Sequence, residues 1–153
     1  MATALGVPQR VHFAGVESSR LPAYFAASDA FVMPSTFETY CMAVHEAMAA
    51  GLPVIVTRSM GVASLVEHAQ AGAVLRDAGD DAGFDRAVED LRNGRTRAAA
   101  ANRARTASIA LSWDSVALRF AAAYTAASES QRSRSQWPGQ VEMDQRCGAE
   151  DRH

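Results

Sequence analysis

The stretch AFVMPSTFETYCMAVHEAMAAGLPVIVT, residues 30–57, decides how this chain folds. It opens with an unbroken apolar run, Ala30-Phe31-Val32-Met33, stopped by Pro34. It closes with a second, Pro53-Val54-Ile55-Val56-Thr57. Neither run alternates with polar residues, and strands that read this way are buried on both faces, as in a parallel sheet. Parallel neighbours need a crossover, and residues between the two runs supply one. A loop, Ser35-Thr36-Phe37-Glu38, leads into a predicted helix from about Thr39 to Ala50, and Gly51 stands where glycine ends helices.

Working outward, the same alternation repeats. Val11-His12-Phe13-Ala14 reads as an earlier strand closed by Gly15, followed by a helix over residues 21–27. A loop through Arg58, Ser59, Met60 and Gly61 leads to a short helix ending near His68, with Ser64 a candidate N-cap. Ala73-Val74-Leu75 reads as a fourth strand. The pattern then turns helical: Phe84, Val88 and Leu91 share one face, residues 98–110 are alanine-rich, and Trp113, Val116, Ala117, Phe120 and Tyr124 form the stripe of a last helix. The fold class is α/β, a Rossmann-like parallel sheet of about four strands with helices on both faces, followed by C-terminal helices. Residues 1–127 form the ordered domain, and 128–153, rich in Ser, Gln, Arg and acidic residues, read as a disordered tail.

Composition narrows the function. The chain has 153 residues, 48% hydrophobic and 21% charged, with a net charge of −2. That balance offers nothing to nucleic acid or another polyanion. All 15 basic residues are arginine, and those between Arg86 and Arg105 read as a solvated helix face. The two cysteines, Cys41 and Cys147, do not make a disulfide framework and fit a reducing compartment. No signal peptide or membrane-length apolar run is present, so the expected location is the cytoplasm, with peripheral contact at a membrane surface left open. No His, Cys or carboxylate spacing suggests a metal, and Cys41 reads as a small packed residue rather than a nucleophile. His12 reads as a strand residue and His45 as an exposed helix-face residue.

In parallel α/β sheets ligands sit beyond the carboxyl ends of the strands. The loop after residue 33 ends there and opens a helix, whose free N–H groups near Tyr40, Cys41 and Met42 make an anion site. Two carboxylates bracket it: Glu38 just before the helix and Glu46 within it, amid Met42, Ala43, Val44, Ala47 and Met48. On composition alone Glu46 reads as a helix-face glutamate that escapes to solvent or pairs with an arginine. Alternatively, eight residues of helix rise about 12 Å, near the span of a nucleotide sugar from ribose to hexose.

The run from Pro34 to Ile55 — a Pro-Ser loop, two glutamates separated by seven residues, Glu-Ala-Met-Ala, a glycine and Pro-Val — resembles the signature of retaining glycosyltransferases of family 4, which have the two-domain GT-B fold. The flanking strands and the Ser112-Trp113 helix are similar too, and the resemblance covers about residues 5–127. It implies a C-terminal donor-binding domain that transfers a hexosyl group from a nucleotide-diphosphate sugar with retention of configuration, using no cofactor and no tightly bound metal. It also implies that Glu38 contacts the donor sugar and Glu46 the ribose, with backbone N–H groups of Thr39, Tyr40, Cys41 and Met42 on the sugar and distal phosphate. The family often has glycine where Cys41 stands, and a cysteine disfavours positive φ there.

Against the family pattern, the acceptor-binding domain and the first two donor-domain strands are expected to be missing. So is the Arg…Lys pair used against the donor pyrophosphate. The implied partners are a nucleotide sugar and a separate acceptor-binding domain or chain, and the chain by itself is expected to be inactive. The alternatives are a non-catalytic remnant or nucleotide-sugar-binding subunit, and a different enzyme of the same fold, such as a sugar-nucleotide epimerase.

Overall fold

The computed structural model describes residues 6–15 and 18–135. Two short 3₁₀ turns, Pro8–Arg10 and Ser18–Arg20, precede helix α1 (Leu21–Ala27). The chain then runs β1 (Phe31–Met33), α2 (Met42–Ala49), β2 (Val54–Thr57), α3 (Ala63–Ala69), β3 (Gly72–Leu75), α4 (Asp81–Arg92) and α5 (Gly94–Ile109). The three strands form a parallel sheet in the order β1-β2-β3, with Phe31 opposite Val54 and Val54 opposite Gly72.

All four residues of β2 are buried, which is what its unbroken apolar run requires. Val54 and Val56 join one core with Val44, Ala47, Met48, Val66, Ala71, Ala104 and Phe25. Ile55 joins the other, with Leu75, Ala87, Phe84 and Leu91. Helices α2 and α3 thus cover one face and α4 the other, as expected from the sequence. Gly72 permits the β2–β3 approach: a Cβ there would lie 1.9 Å from the Val54 carbonyl oxygen.

Three expectations change. Val11-His12-Phe13-Ala14 is not a strand, and the sheet has three strands among the described residues rather than four. Phe13 is 88% exposed. A strand exists only by pairing, and this run has no strand beside it to satisfy its backbone groups. The second change concerns the arginines of α4 and α5, three of which do more than face water. Arg105 donates to the Ala50 carbonyl at the C-terminus of α2 and Arg103 to the Gln70 carbonyl at the C-terminus of α3, both at 3.0 Å. Arg97 donates to the Leu91 carbonyl and pairs with Asp29. Cations suit helix C-termini, where unpaired carbonyls gather negative potential. Ala100 and Ala104, buried on the same helix, let α5 pack closely enough for these side chains to reach.

Residues 110–135 form a separate unit dominated by α6 (Trp113–Ser135). Ser112 caps it, accepting from the Ser115 N–H, so Ser112 and Trp113 mark its start as the sequence suggests. The third change is at its far end. Residues 128–135 continue the helix, where disorder was expected; the rest of that tail lies outside the described residues. Phe120 and Tyr124 stack at 6.3 Å, one turn apart.

Candidate functional site

The carboxyl ends of β1 and β2 each release a loop, residues 34–41 and 58–62, and the two are joined. Thr57, the last residue of β2, is fully buried and donates its hydroxyl to the Ser35 carbonyl. The Ser59 hydroxyl reaches the same carbonyl at 3.2 Å and lies 3.1 Å from the Thr57 oxygen. Further along, the Gly61 N–H donates to the Glu38 carbonyl at 2.9 Å, in a β-bridge between Glu38 and Met60. A Cβ on Gly61 would lie 1.9 Å from the Thr39 carbonyl oxygen, so only glycine permits this approach. Ser35 closes the inner loop with a hydroxyl bond to the Phe37 carbonyl at 3.0 Å.

This junction presents Glu38. Its carboxylate is half-buried and accepts from the Tyr40 N–H at 3.4 Å and, at the limit of hydrogen bonding, from the Thr39 hydroxyl at 3.5 Å. Helix α2 starts at Met42, and no side chain caps it. Its first N–H groups point out of the helix at the end where the macrodipole favours an anion. Glu38, Thr39, Tyr40, Cys41 and Met42 are therefore brought together at one helix start. Because α2 begins at Met42 rather than near Thr39, residues 39–41 are loop. The helical path toward Glu46 covers only four residues, about 6 Å. The 12 Å figure assumed helix through all eight residues, and only the second half of that path is helical.

Cys41 departs from expectation. It occupies the left-handed region, φ 58° and ψ 81°, as the N-cap of α2. A β-carbon is disfavoured there. The conformation is imposed from both sides: the joined loops hold the chain before it, and the buried side chain packs with its sulfur 3.4 Å from that of Met33.

His45 departs as well. Instead of an exposed helix-face residue, it is half-buried and stacked on Tyr40, with ring centroids 4.4 Å apart and an interplanar angle of 20°. Neither ring nitrogen has a hydrogen-bond partner, and desolvation holds its pKa below the usual histidine value. Spacing alone does not reveal this pair, because Tyr40 reaches His45 from outside the helix.

Glu46 is exposed on α2 beside an open groove of about 470 Å³ lined by Leu21, Pro22, Phe25, Ala49 and Ala50. An apolar floor with one carboxylate at its edge suits a ligand with a flat apolar part and hydroxyls. Sequence reasoning did not find Thr57, Ser35 and Ser59. The available signal was a threonine ending an otherwise apolar strand, with a serine in each adjacent loop. Among the described residues no group of three His, Cys, Asp or Glu could hold a metal, and no helix is long and apolar enough to cross a membrane.

A parallel α/β sheet with a helix start and a carboxylate-bearing loop at its carboxyl edge belongs to the Rossmann-like class, in which ligands sit beyond that edge. Residues 1–107 match the family described as "Glycosyl transferases group 1", and the chain belongs to that family. It is 41% identical over 91 residues to the lipopolysaccharide core biosynthesis glycosyltransferase LpsE of Rhizobium meliloti, covering 60% of this chain and 26% of that protein. Sucrose-phosphate synthase from Thermosynechococcus elongatus shares the fold with a TM-score of 0.72 at 24% identity, over 84% of this chain and 33% of that one. WaaG, a glycosyltransferase involved in lipopolysaccharide biosynthesis, matches with a TM-score of 0.64 and 29% identity, over 80% of this chain and 32% of that one. These are glycosyltransferases of GT-B type, and the chain spans between a quarter and a third of their length.

Proposed function

We propose that this chain binds the nucleotide-diphosphate sugar donor of a retaining hexosyl transfer. The observation that carries the reading is the convergence of the Glu38 loop and the uncapped start of α2 beyond the carboxyl ends of β1 and β2. In this reading the diphosphate sits against the backbone N–H groups of Thr39, Tyr40, Cys41 and Met42. Glu38 accepts from hydroxyls of the donor sugar, and Glu46, beside its groove, accepts from the ribose diol. Transfer moves the sugar's anomeric carbon from the diphosphate oxygen to an acceptor hydroxyl with net retention. The acceptor side is supplied by a separate domain or chain. No cofactor takes part, and the work is done in the cytoplasm or at its membrane surface.

A second reading is a nucleotide-sugar-binding subunit without catalysis. One observation favours it. The only basic residue on the two joined loops is Arg58, which lies 3.7 Å from Glu67, so no free cation among the described residues of these loops faces a departing diphosphate.

Calorimetry of the 153-residue chain with UDP and with GDP tests both readings. Affinity in the millimolar range is expected, about −4 kcal/mol. Absence of heat with either nucleotide rejects donor binding. Sugar transfer by the chain alone rejects the expectation that it needs a separate acceptor-binding partner.

A further inference from the structure

We propose that Thr57 is a positioning residue: together with Ser59 it latches the Ser35 carbonyl and so holds the loop that presents Glu38 and the N–H groups leading into α2. The inference deepens the donor-binding reading and rests on it for its functional consequence.

The geometry is specific. Thr57 is the only buried polar residue of the described core, at 0% exposure, and it ends a strand whose other members are aliphatic. Burying a hydroxyl is costly unless it is paired. Its hydroxyl bonds to a residue 22 positions earlier, in the neighbouring loop. Three oxygens, those of Ser35, Thr57 and Ser59, share two hydroxyl protons. If Thr57 donates to the Ser35 carbonyl, Ser59 can donate to that carbonyl or to the Thr57 oxygen. The Ser35 carbonyl thus lies within reach of two hydroxyls, one at the end of β2 and one in the loop that follows it.

The second tie, Gly61 N–H to the Glu38 carbonyl, lies three residues further along the first loop. Between the two ties the backbone of residues 35–38 is held at both ends. Beyond Glu38 the chain must rise into the left-handed conformation of Cys41. A loop released at Ser35 would lose the constraint that aims the Glu38 carboxylate and helps impose that conformation. A valine at position 57 would fill the same volume without a proton to donate, which separates the latch from simple core packing.

The test uses the full chain and the variants Thr57→Val/Ser59→Ala, Thr57→Ser and Gly61→Ala. The first removes both hydroxyls, the second keeps both and removes only the Thr57 methyl group, and the third drives a methyl group against the Thr39 carbonyl. Amide exchange by NMR reads the residue-61 N–H and, separately, the amides of β2 and β3. In the double variant the residue-61 amide is expected to exchange at least about tenfold faster while β2 and β3 keep their protection. Order parameters over residues 36–40 are expected to fall from about 0.85 toward 0.6. UDP affinity is expected to fall at least about threefold, the worth of one ordinary hydrogen bond. Thr57→Ser is expected to restore all three readings.

Unchanged residue-61 protection in the double variant overturns the proposal, as does a loss shared equally by β2 and β3. Failure of Thr57→Ser to rescue overturns it too. If the double variant does not fold, Ser59→Ala alone carries the test: faster exchange of the residue-61 amide with β2 and β3 unchanged supports the latch, and unchanged exchange there overturns it. If wild-type chain binds neither UDP nor GDP, the donor reading falls, and the exchange data still decide the latch.

Discussion

The two ends of α2 are built differently. At its C-terminus the carbonyls of Ala47, Met48 and Ala50 are met from within the protein. Gly51, at φ +83°, lets the Leu52 N–H reach the Ala47 carbonyl and its own N–H reach Met48, and Arg105 adds a charged donor to Ala50. At its N-terminus no side chain caps the helix, a non-glycine residue sits at positive φ, and a histidine is stacked with both ring nitrogens unpaired. One end is satisfied by the fold, and the other is held in shape but left unsatisfied. The donor-binding reading proposed above uses that uncapped end.

The largest expected effect tests whether the open end binds what we propose. Glu46→Ala should weaken nucleotide binding at least about tenfold, given roughly 1.5–3 kcal/mol for a hydrogen bond to a charged group. Its melting temperature should stay put, because the side chain is exposed. Calorimetry beside a thermal melt separates the two, and unchanged affinity would return Glu46 to an ordinary surface role.

His45→Phe comes next and should stabilise the chain by about 1 kcal/mol, since a ring of similar shape removes two buried nitrogens without partners. A pH signature should accompany it. Burial lowers the His45 pKa from the ordinary histidine value of 6.5, so the unfolded state binds the proton more readily than the folded one. Stability from this group is therefore present above about pH 6.5 and is lost as pH falls below that value. Denaturant titrations from pH 7.5 to 5 should show the decline in wild type and a shallower one in the variant.

At the satisfied end, Arg105→Ala should cost about 0.5 kcal/mol, the usual worth of a cation at an exposed helix C-terminus. Nucleotide affinity should not change. A loss of affinity as large as that of Glu46→Ala would mean that the two ends are coupled.

Smallest of all is Cys41→Gly. Glycine relieves roughly 1 kcal/mol of left-handed strain, while losing the packed thiol and gaining unfolded-state entropy costs a similar amount. A net change below about 0.5 kcal/mol, read from urea unfolding, is expected. A large stabilisation would show that the strain, rather than the packing, dominates at this position.

Much of this was legible beforehand, though unevenly. The unbroken apolar runs at 31–33 and 54–57 identified buried parallel strands, because nothing polar interrupts them. The run at 11–14, apolar but for His12, did not become a strand. Apolarity states what a segment would gain by burial, whereas strand formation also needs a neighbour. Glu38 and Glu46 were singled out from spacing and resemblance. Thr57, Ser35 and Ser59 were not, because a hydroxyl at a strand end has no distinctive pattern until its partner 22 residues away is in place. The arginines of α5 were misread as a solvated face for the same reason: Arg105 meets Ala50 across 55 residues of sequence.

The sequence by itself therefore determined the elements whose cause is local. It set the buried strands by uninterrupted hydrophobicity, the end of α2 by Gly51, and the helix start between Glu38 and Glu46 where an anion is favoured. Tertiary structure decided everything that depends on two distant segments meeting. It selected which apolar run pairs, forced Cys41 through the left-handed region, enclosed the His45 ring, and joined two loops through one buried hydroxyl. Local propensity is summed along the chain, but a hydrogen bond or a steric limit between loops exists only once packing brings both partners within about 3 Å.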